Sequence, residues 1–178
     1  MTGLRLMQPS PGACFFDTNV VVYAHDPSVP HKRAQARMAM AQAMRADECV
    51  ISTQVMQEFY NVVLRKRLMT PAQAVQVLAQ LAQHTVVCAS AESVLRSIAL
   101  QQRHRLSIWD ALVVQAALDA HCAVLYSEDL QAGQGFEATG AGPELQVVNP
   151  FTTEPPVLAV HEPRATYHAA AKKRRTAT

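Results

Sequence analysis

The 178-residue chain lacks the cysteine arrangements that staple a small fold. Cys14, Cys49, Cys88 and Cys122 stand far apart, with no C-x-x-C pair and no histidine at zinc-finger spacing. Each touches a short apolar run (ACFF, CVIS, VVCA and HCAVLY), which reads as a buried free thiol serving as a small core hydrophobe. Long apolar runs are missing too. No segment approaches the roughly 18 residues that span a bilayer. The opening MTGLRLMQPSPGA has too short an apolar stretch for a secretory signal, so a cytoplasmic, membrane-free protein is expected. Neither sign of charge dominates: 16 basic and 14 acidic residues leave +2 and a pI near 8.4. That balance permits nucleic-acid binding without arguing for it. Hydrophobic residues at 49% and charged residues at 17% exclude wholesale disorder, and the length suits one domain. There is no P-loop, Ser-His-Asp spacing, thiol–imidazole pair or internal repeat, and the scattered histidines read as surface or core filler.

What is present is an alternation of short apolar runs with longer helical patterns. The runs are Ala13–Phe16, Cys49–Ile51, Val86–Cys88, Ala123–Tyr126 and Leu145–Val148; helices are expected over about 31–46, 53–67, 71–84, 91–104 and 108–120. Strands separated by helices require crossover connections, hence an α/β fold: a three-layer α/β/α sandwich around a mostly parallel sheet. Thr70-Pro71 supplies an N-cap hydroxyl and an N1 proline, with Gln73 placed for a capping box. Met56, Phe59, Tyr60 and Val63 mark one buried helix face, and Trp109, Leu112, Val113, Ala116 and Ala120 mark another. After Pro150 the character changes. Pro155, Pro156 and Pro163 interrupt any regular element, and Lys172-Lys173-Arg174-Arg175 closes the chain. The expected division is a leader over 1–12, a domain over 13–151 and a basic tail over 152–178, the tail solvated and mobile or an auxiliary contact to nucleic-acid phosphate.

Acidic residues recur at element boundaries. Asp17 directly follows the apolar Phe15-Phe16, at the carboxyl end of a strand, where open α/β sheets bind ligands; it also suits capping of the next helical turn. Glu58 lies one turn into its helix at the edge of the arc formed by Val55, Phe59 and Val62, a position fit for a cleft or for an ordinary surface glutamate. Asp110 sits at the margin of the next apolar face, and Ser107-x-x-Asp110 is also a capping-box spacing. Asp129 follows the strand ending at Tyr126, with Glu128 as a rival that strand alternation cannot separate from it. Two such strands side by side would bring Asp17 and Asp129 together. Hard oxygen donors of this kind suit Mg²⁺ or Mn²⁺ rather than zinc.

Phe16-Asp17-Thr18-Asn19, then Gln57-Glu58-Phe59, then Leu106-Ser107-Ile108-Trp109-Asp110-Ala111-Leu112, then Leu125-Tyr126-Ser127-Glu128-Asp129-Leu130-Gln131 with Gly133 follow in an order and spacing that resemble the PIN-domain family. The match extends over about residues 13–149 and is narrower still to VapC-type toxins of bacterial toxin–antitoxin pairs. The resemblance implies a Mg²⁺-dependent endoribonuclease with metal ligands at Asp17 and Asp110, and with Glu58 and Asp129 completing the acidic pocket. It favours Asp129 over Glu128, and it implies that Thr18, Asn19 and Ser127 orient carboxylates or waters. It further implies an RNA substrate, transfer RNA among the candidates, a cognate antitoxin and a homodimer. Three other readings stand beside it. One is a PIN-domain RNA-processing enzyme that is not a toxin, and one is a non-enzymatic α/β interaction module. The third is phosphoryl transfer through Asp17, which the sequence disfavours because no second aspartate stands two residues on and no convincing partner lysine follows.

Overall fold

The computed structural model describes residues 12–138 and 142–152. Its first strand, β1 (Cys14–Phe16), holds two adjacent phenylalanines, Phe15 and Phe16, both fully buried. Successive strand residues point to opposite faces, so the sheet is covered on both sides here. Val50 and Ile51 repeat this in β2 (Cys49–Ser52). Around these central strands run α1 (Thr18–Tyr23), α2 (Pro30–Arg45), α3 (Thr53–Arg65), α4 (Pro71–Leu81), β3 (Thr85–Val87), α5 (Ala91–His104) and α6 (Ile108–Asp119). The chain continues through β4 (Val124–Tyr126), β5 (Gly135–Phe136) and β6 (Leu145–Val148).

The six strands lie in the order β3-β2-β1-β4-β6-β5, parallel throughout except for β5 against β6. The helices flank this sheet in an α/β/α sandwich. From β1 the chain steps outward to β2 and β3, then returns to lay β4 on the other side of β1. Strand order reverses between β1 and β4, and at such a reversal the carboxyl ends of the two strands open a crevice.

The helix starts follow local chemistry. Ser52, Thr70, Ser90 and Ser107 each accept a backbone N–H at the start of α3, α4, α5 and α6. The capping box at α4 forms as expected: Thr70 Oγ1 accepts from the Gln73 amide (3.3 Å), and Gln73 Oε1 accepts from the Thr70 amide (2.9 Å). Several expectations need correction. Two elements escaped the hydrophobic pattern, the six-residue α1 and the two-residue β5, because neither is long enough to show a period. Trp109 is 63% exposed rather than part of the buried face of α6. Helix α6 is buried almost all round from Ala111 to Leu118, and Trp109 precedes that stretch in the first turn. Tyr60 is also exposed, as the neighbour of the buried Phe59 on α3.

All four cysteines are free, but Cys88 is exposed, since it leaves the edge strand β3, whose own residues are only half covered. Burial pushes the Cys14 thiol up to about 11 and the Cys49 thiol up to about 12, so neither offers a thiolate near neutrality. The expected leader and tail lie outside the described residues apart from Gly12 and Thr152. Among the described residues no helix is long and apolar enough to cross a membrane.

Thr70→Ala removes the cap that fixes the start of α4 and is expected to cost about 1 kcal/mol. Urea unfolding should show a lower midpoint with an unchanged slope.

Candidate active site

The site grows from the junction of β1 and β4. The Asp17 amide donates to the Tyr126 carbonyl (3.0 Å), so pairing of the two strands continues into the acidic residue itself. Asp17 caps α1 through one oxygen: Oδ1 accepts from the Thr18 amide (2.6 Å). Its other oxygen, Oδ2, accepts from Asn19 Nδ2 (2.8 Å) and Ser127 Oγ (2.7 Å). The capping reading of Asp17 therefore holds on Oδ1, while Asn19 and Ser127 hold Oδ2. Asn19 Nδ2 also donates to Asp129 Oδ2 (3.1 Å), bridging the carboxylates that leave β1 and β4. Ser127, fully buried, accepts from the Asp129 amide (3.2 Å) and so fixes the turn that presents Asp129.

Two helices bring the remaining acids. Thr18 Oγ1 donates to Glu58 Oε2 (2.6 Å), and Gln54 Nε2 donates to Glu58 Oε1 (2.8 Å). On α6 the Ser107 hydroxyl accepts from the Asp110 amide (3.1 Å) and donates to Asp110 Oδ2 (2.8 Å). Asp17, Glu58, Asp110 and Asp129 all line one open cavity of about 260 Å³, together with Thr18 and Asn19. Glu128 does not. Its side chain forms an ion pair with Lys32 on α2, beside the Tyr23 ring, and this separates it from Asp129 as sequence periodicity could not.

Burial pushes the Asp17 carboxyl from its ordinary 3.8 up to about 6. Hydrogen bonds from Ser127 and the Thr18 amide oppose that rise, and the negative charges of Asp129 and Glu58 add to it. Among the described residues no three His, Cys, Asp or Glu side chains converge closely enough, as they stand, to hold a metal ion. Each of the four acids is held by neutral donors instead, supplied by Thr18, Asn19, Gln54, Ser107 and Ser127.

A family model described as the PIN domain matches residues 14–134, most of the chain. The chain belongs to the PIN-domain family. No curated protein matches it. Among solved structures, a toxin–antitoxin complex from Klebsiella pneumoniae is similar at 21% identity with a TM-score of 0.54, covering 78% of this chain and 98% of that one. A sarcin–ricin-loop-cleaving toxin of Mycobacterium tuberculosis is similar at 17% identity with a TM-score of 0.48, covering 65% and 88%. A DNA-bound VapBC complex from Salmonella typhimurium is similar at 13% identity with a TM-score of 0.49, covering 76% and 98%.

The PIN fold also places in the cavity residues to which the sequence gave no part in the site: Val22, Tyr23, Gln54, Val62, Lys66, Trp109 and Val113. A signal existed for four of the lining residues. Gln54, Glu58, Val62 and Lys66 recur at steps of four along α3 and its C-cap, which is one stripe of a helix. The Lys66 Nζ stands 3.8 Å from Asp26, and the side chain lines the cavity that holds Asp17. Family membership adds to the sequence argument against transfer through an aspartyl-phosphate.

A pH dependence follows from Asp17. Its carboxyl titrates higher folded than unfolded, so between about pH 4 and 6 the folded PIN domain binds the extra proton and loses stability as pH rises. About two units correspond to something on the order of 3 kcal/mol, fully felt above pH 6. In chelator, Asp17→Asn should therefore gain stability relative to the parent as pH rises from 4 to 8. Denaturant titrations of both proteins measure this difference, which cancels the other titrating groups. A constant offset across the range would show that the Asp17 charge carries no such cost.

Proposed function

We propose that this PIN domain is a metal-dependent endoribonuclease that hydrolyses RNA phosphodiester bonds and serves as the toxin of a toxin–antitoxin pair. One observation carries the reading: four carboxylates from the ends of β1 and β4 and the starts of α3 and α6 line a single cavity at the strand-order reversal. A structural role would not require acids from four separate elements to meet at the cost of mutual repulsion. The donor set is all hard oxygen, which fits Mg²⁺, with Mn²⁺ as a substitute.

Asp17, Glu58, Asp110 and Asp129 would hold the cation. When bound there, it supplies charge neutralisation at the phosphate and a water of lowered pKa. Mg²⁺ keeps several of its waters, so the four carboxylates need not all touch it. The protein's own part is positioning. Asn19 spaces Asp17 from Asp129, Ser127 holds Asp17 from beneath, and Thr18 and Gln54 grip the two oxygens of Glu58. These donors orient carboxylates as the partners of metal ligands do elsewhere. Lys66 faces the same cavity and offers a cation to the RNA backbone.

The toxin assignment draws on the sequence motifs and on the similar solved structure described as a toxin–antitoxin complex. By that likeness one partner is a cognate antitoxin; the resemblance of the sequence motifs to the VapC-type toxins adds that it occludes the acidic cavity and that the chain pairs with a second copy. Expression alone should arrest bacterial growth, and the antitoxin should relieve it. A chain that cuts RNA without harming its host would belong to RNA maturation or decay.

Purified protein incubated with total RNA should cut it in Mg²⁺ and stop in chelator. Asp17→Asn, Glu58→Gln, Asp110→Asn and Asp129→Asn should each lose roughly hundredfold or more in cleavage rate, while circular dichroism shows the fold intact. Full activity in Asp17→Asn or Asp110→Asn would remove the site assignment.

A further inference from the structure

Trp109 is the chain's single tryptophan, and it stands 63% exposed in the wall of the acidic cavity. Exposure of that size forgoes the burial that a large aromatic normally supplies. The other exposed large apolar side chains, Met38, Tyr60, Val75, Val94, Leu95 and Ile98, do not line the cavity. Among the described residues no aromatic ring packs on the indole and no cation caps it. The backbone beneath it is held. Trp109 lies in the first turn of α6, whose start Ser107 caps, and its carbonyl accepts from Gln54 Nε2 (3.4 Å). The site thus offers an unoccupied π-face on a fixed helix start, next in sequence to Asp110.

We propose that Trp109 is a stacking platform for an unstacked nucleobase that flanks the scissile phosphate. The proposal rests on the nuclease reading above and specifies how that site takes its substrate. Tyr23 and three valines also line the cavity, but among the described residues Trp109 is its one exposed large apolar side chain, set among carboxylates, Gln54 and Lys66. That differs from a protein-docking surface, whose energetic centre is a contiguous apolar patch. A nucleobase needs only one flat apolar face, with a cation nearby for its phosphate. Trp109 supplies the first and Lys66 the second. The face must come from an unstacked base, because a base inside a duplex has both of its faces covered. Trp109 is on this account a positioning residue for the RNA.

The single tryptophan makes the test direct, since all indole fluorescence reports on this position. The probe is a short mixed-sequence single-stranded RNA, added in Mg²⁺ to the full-length Glu58→Gln protein so that cutting is slow. Indole fluorescence should be quenched saturably over the concentrations at which the anisotropy of labelled RNA rises, and duplex RNA of the same sequence should quench far less. Trp109→Ala should weaken single-strand binding about tenfold, Trp109→Phe should restore most of it, and both should keep the parent's thermal midpoint. Binding with unchanged fluorescence, or equal affinity in Trp109→Ala, overturns the platform and leaves the nuclease reading standing. Loss of antitoxin rescue in Trp109→Ala with RNA affinity intact also overturns it, assigning the indole to the protein partner. Absence of chelator-sensitive cleavage in the parent removes the nuclease reading, and the platform with it.

Discussion

Where β1 meets β4, one small set of hydrogen bonds holds the structure's functional end together. The Asp17 amide pairs with the Tyr126 carbonyl, Ser127 supports Asp17 from behind, and Asn19 spans the gap to Asp129. This junction exists because the strand order reverses there, and at such a reversal the two carboxyl ends open a crevice. The neighbouring elements depend on it. Helix α1 begins on the Asp17 cap, and Thr18 at its first position reaches Glu58 on α3. Gln54, one turn earlier on α3, then reaches the Trp109 carbonyl on α6. A chain of polar contacts so runs from the sheet centre through three helices, and each contact positions an acid or its neighbour.

The same junction carries the main electrostatic cost. Asp17 is almost fully buried, and burial raises its carboxyl, with Asp129 and Glu58 adding to the effect. Such crowding is the local inconsistency expected of a functional site, since a domain built only for stability would place apolar groups here. Neutral donors relieve part of the cost, and a divalent cation would relieve more. The contrast with Glu128 is instructive. It stands one residue from Asp129, yet the Lys32 ion pair holds its carboxyl below the usual range against the opposing effect of burial. Glu128 thereby helps anchor α2 to the β4 turn, and Lys32 in turn lies over the rings of Tyr23 and Phe151.

Most of the architecture was legible in residue order. Consecutive buried residues such as Phe15-Phe16 and Val50-Ile51 announce strands covered on both faces, and the caps Thr70 and Ser107 announce helix starts. Elements shorter than their own period were not legible, which is why α1 and β5 escaped notice. Side chains at element ends were misjudged for a related reason. Trp109 continues the apolar register of α6 but lies in its first turn, where the core no longer covers it, and Cys88 leaves a strand with no neighbour beyond it among the described residues.

Sequence alone therefore determined the alternating α/β order, the helix caps and the candidacy of Asp17, Glu58 and Asp110, because each depends on local periodicity or on a motif a few residues long. Tertiary structure decided which of Glu128 and Asp129 faces the cavity, that Lys66 joins Asp17 there, and that the indole of Trp109 stands open beside Asp110. Each of those outcomes turns on which side chain a residue meets from a distant part of the chain: Lys32 for Glu128, Asn19 for Asp129, and no described ring or cation for Trp109. Such meetings are set by the packing of whole elements at the strand-order reversal, and spacing along the chain does not encode them.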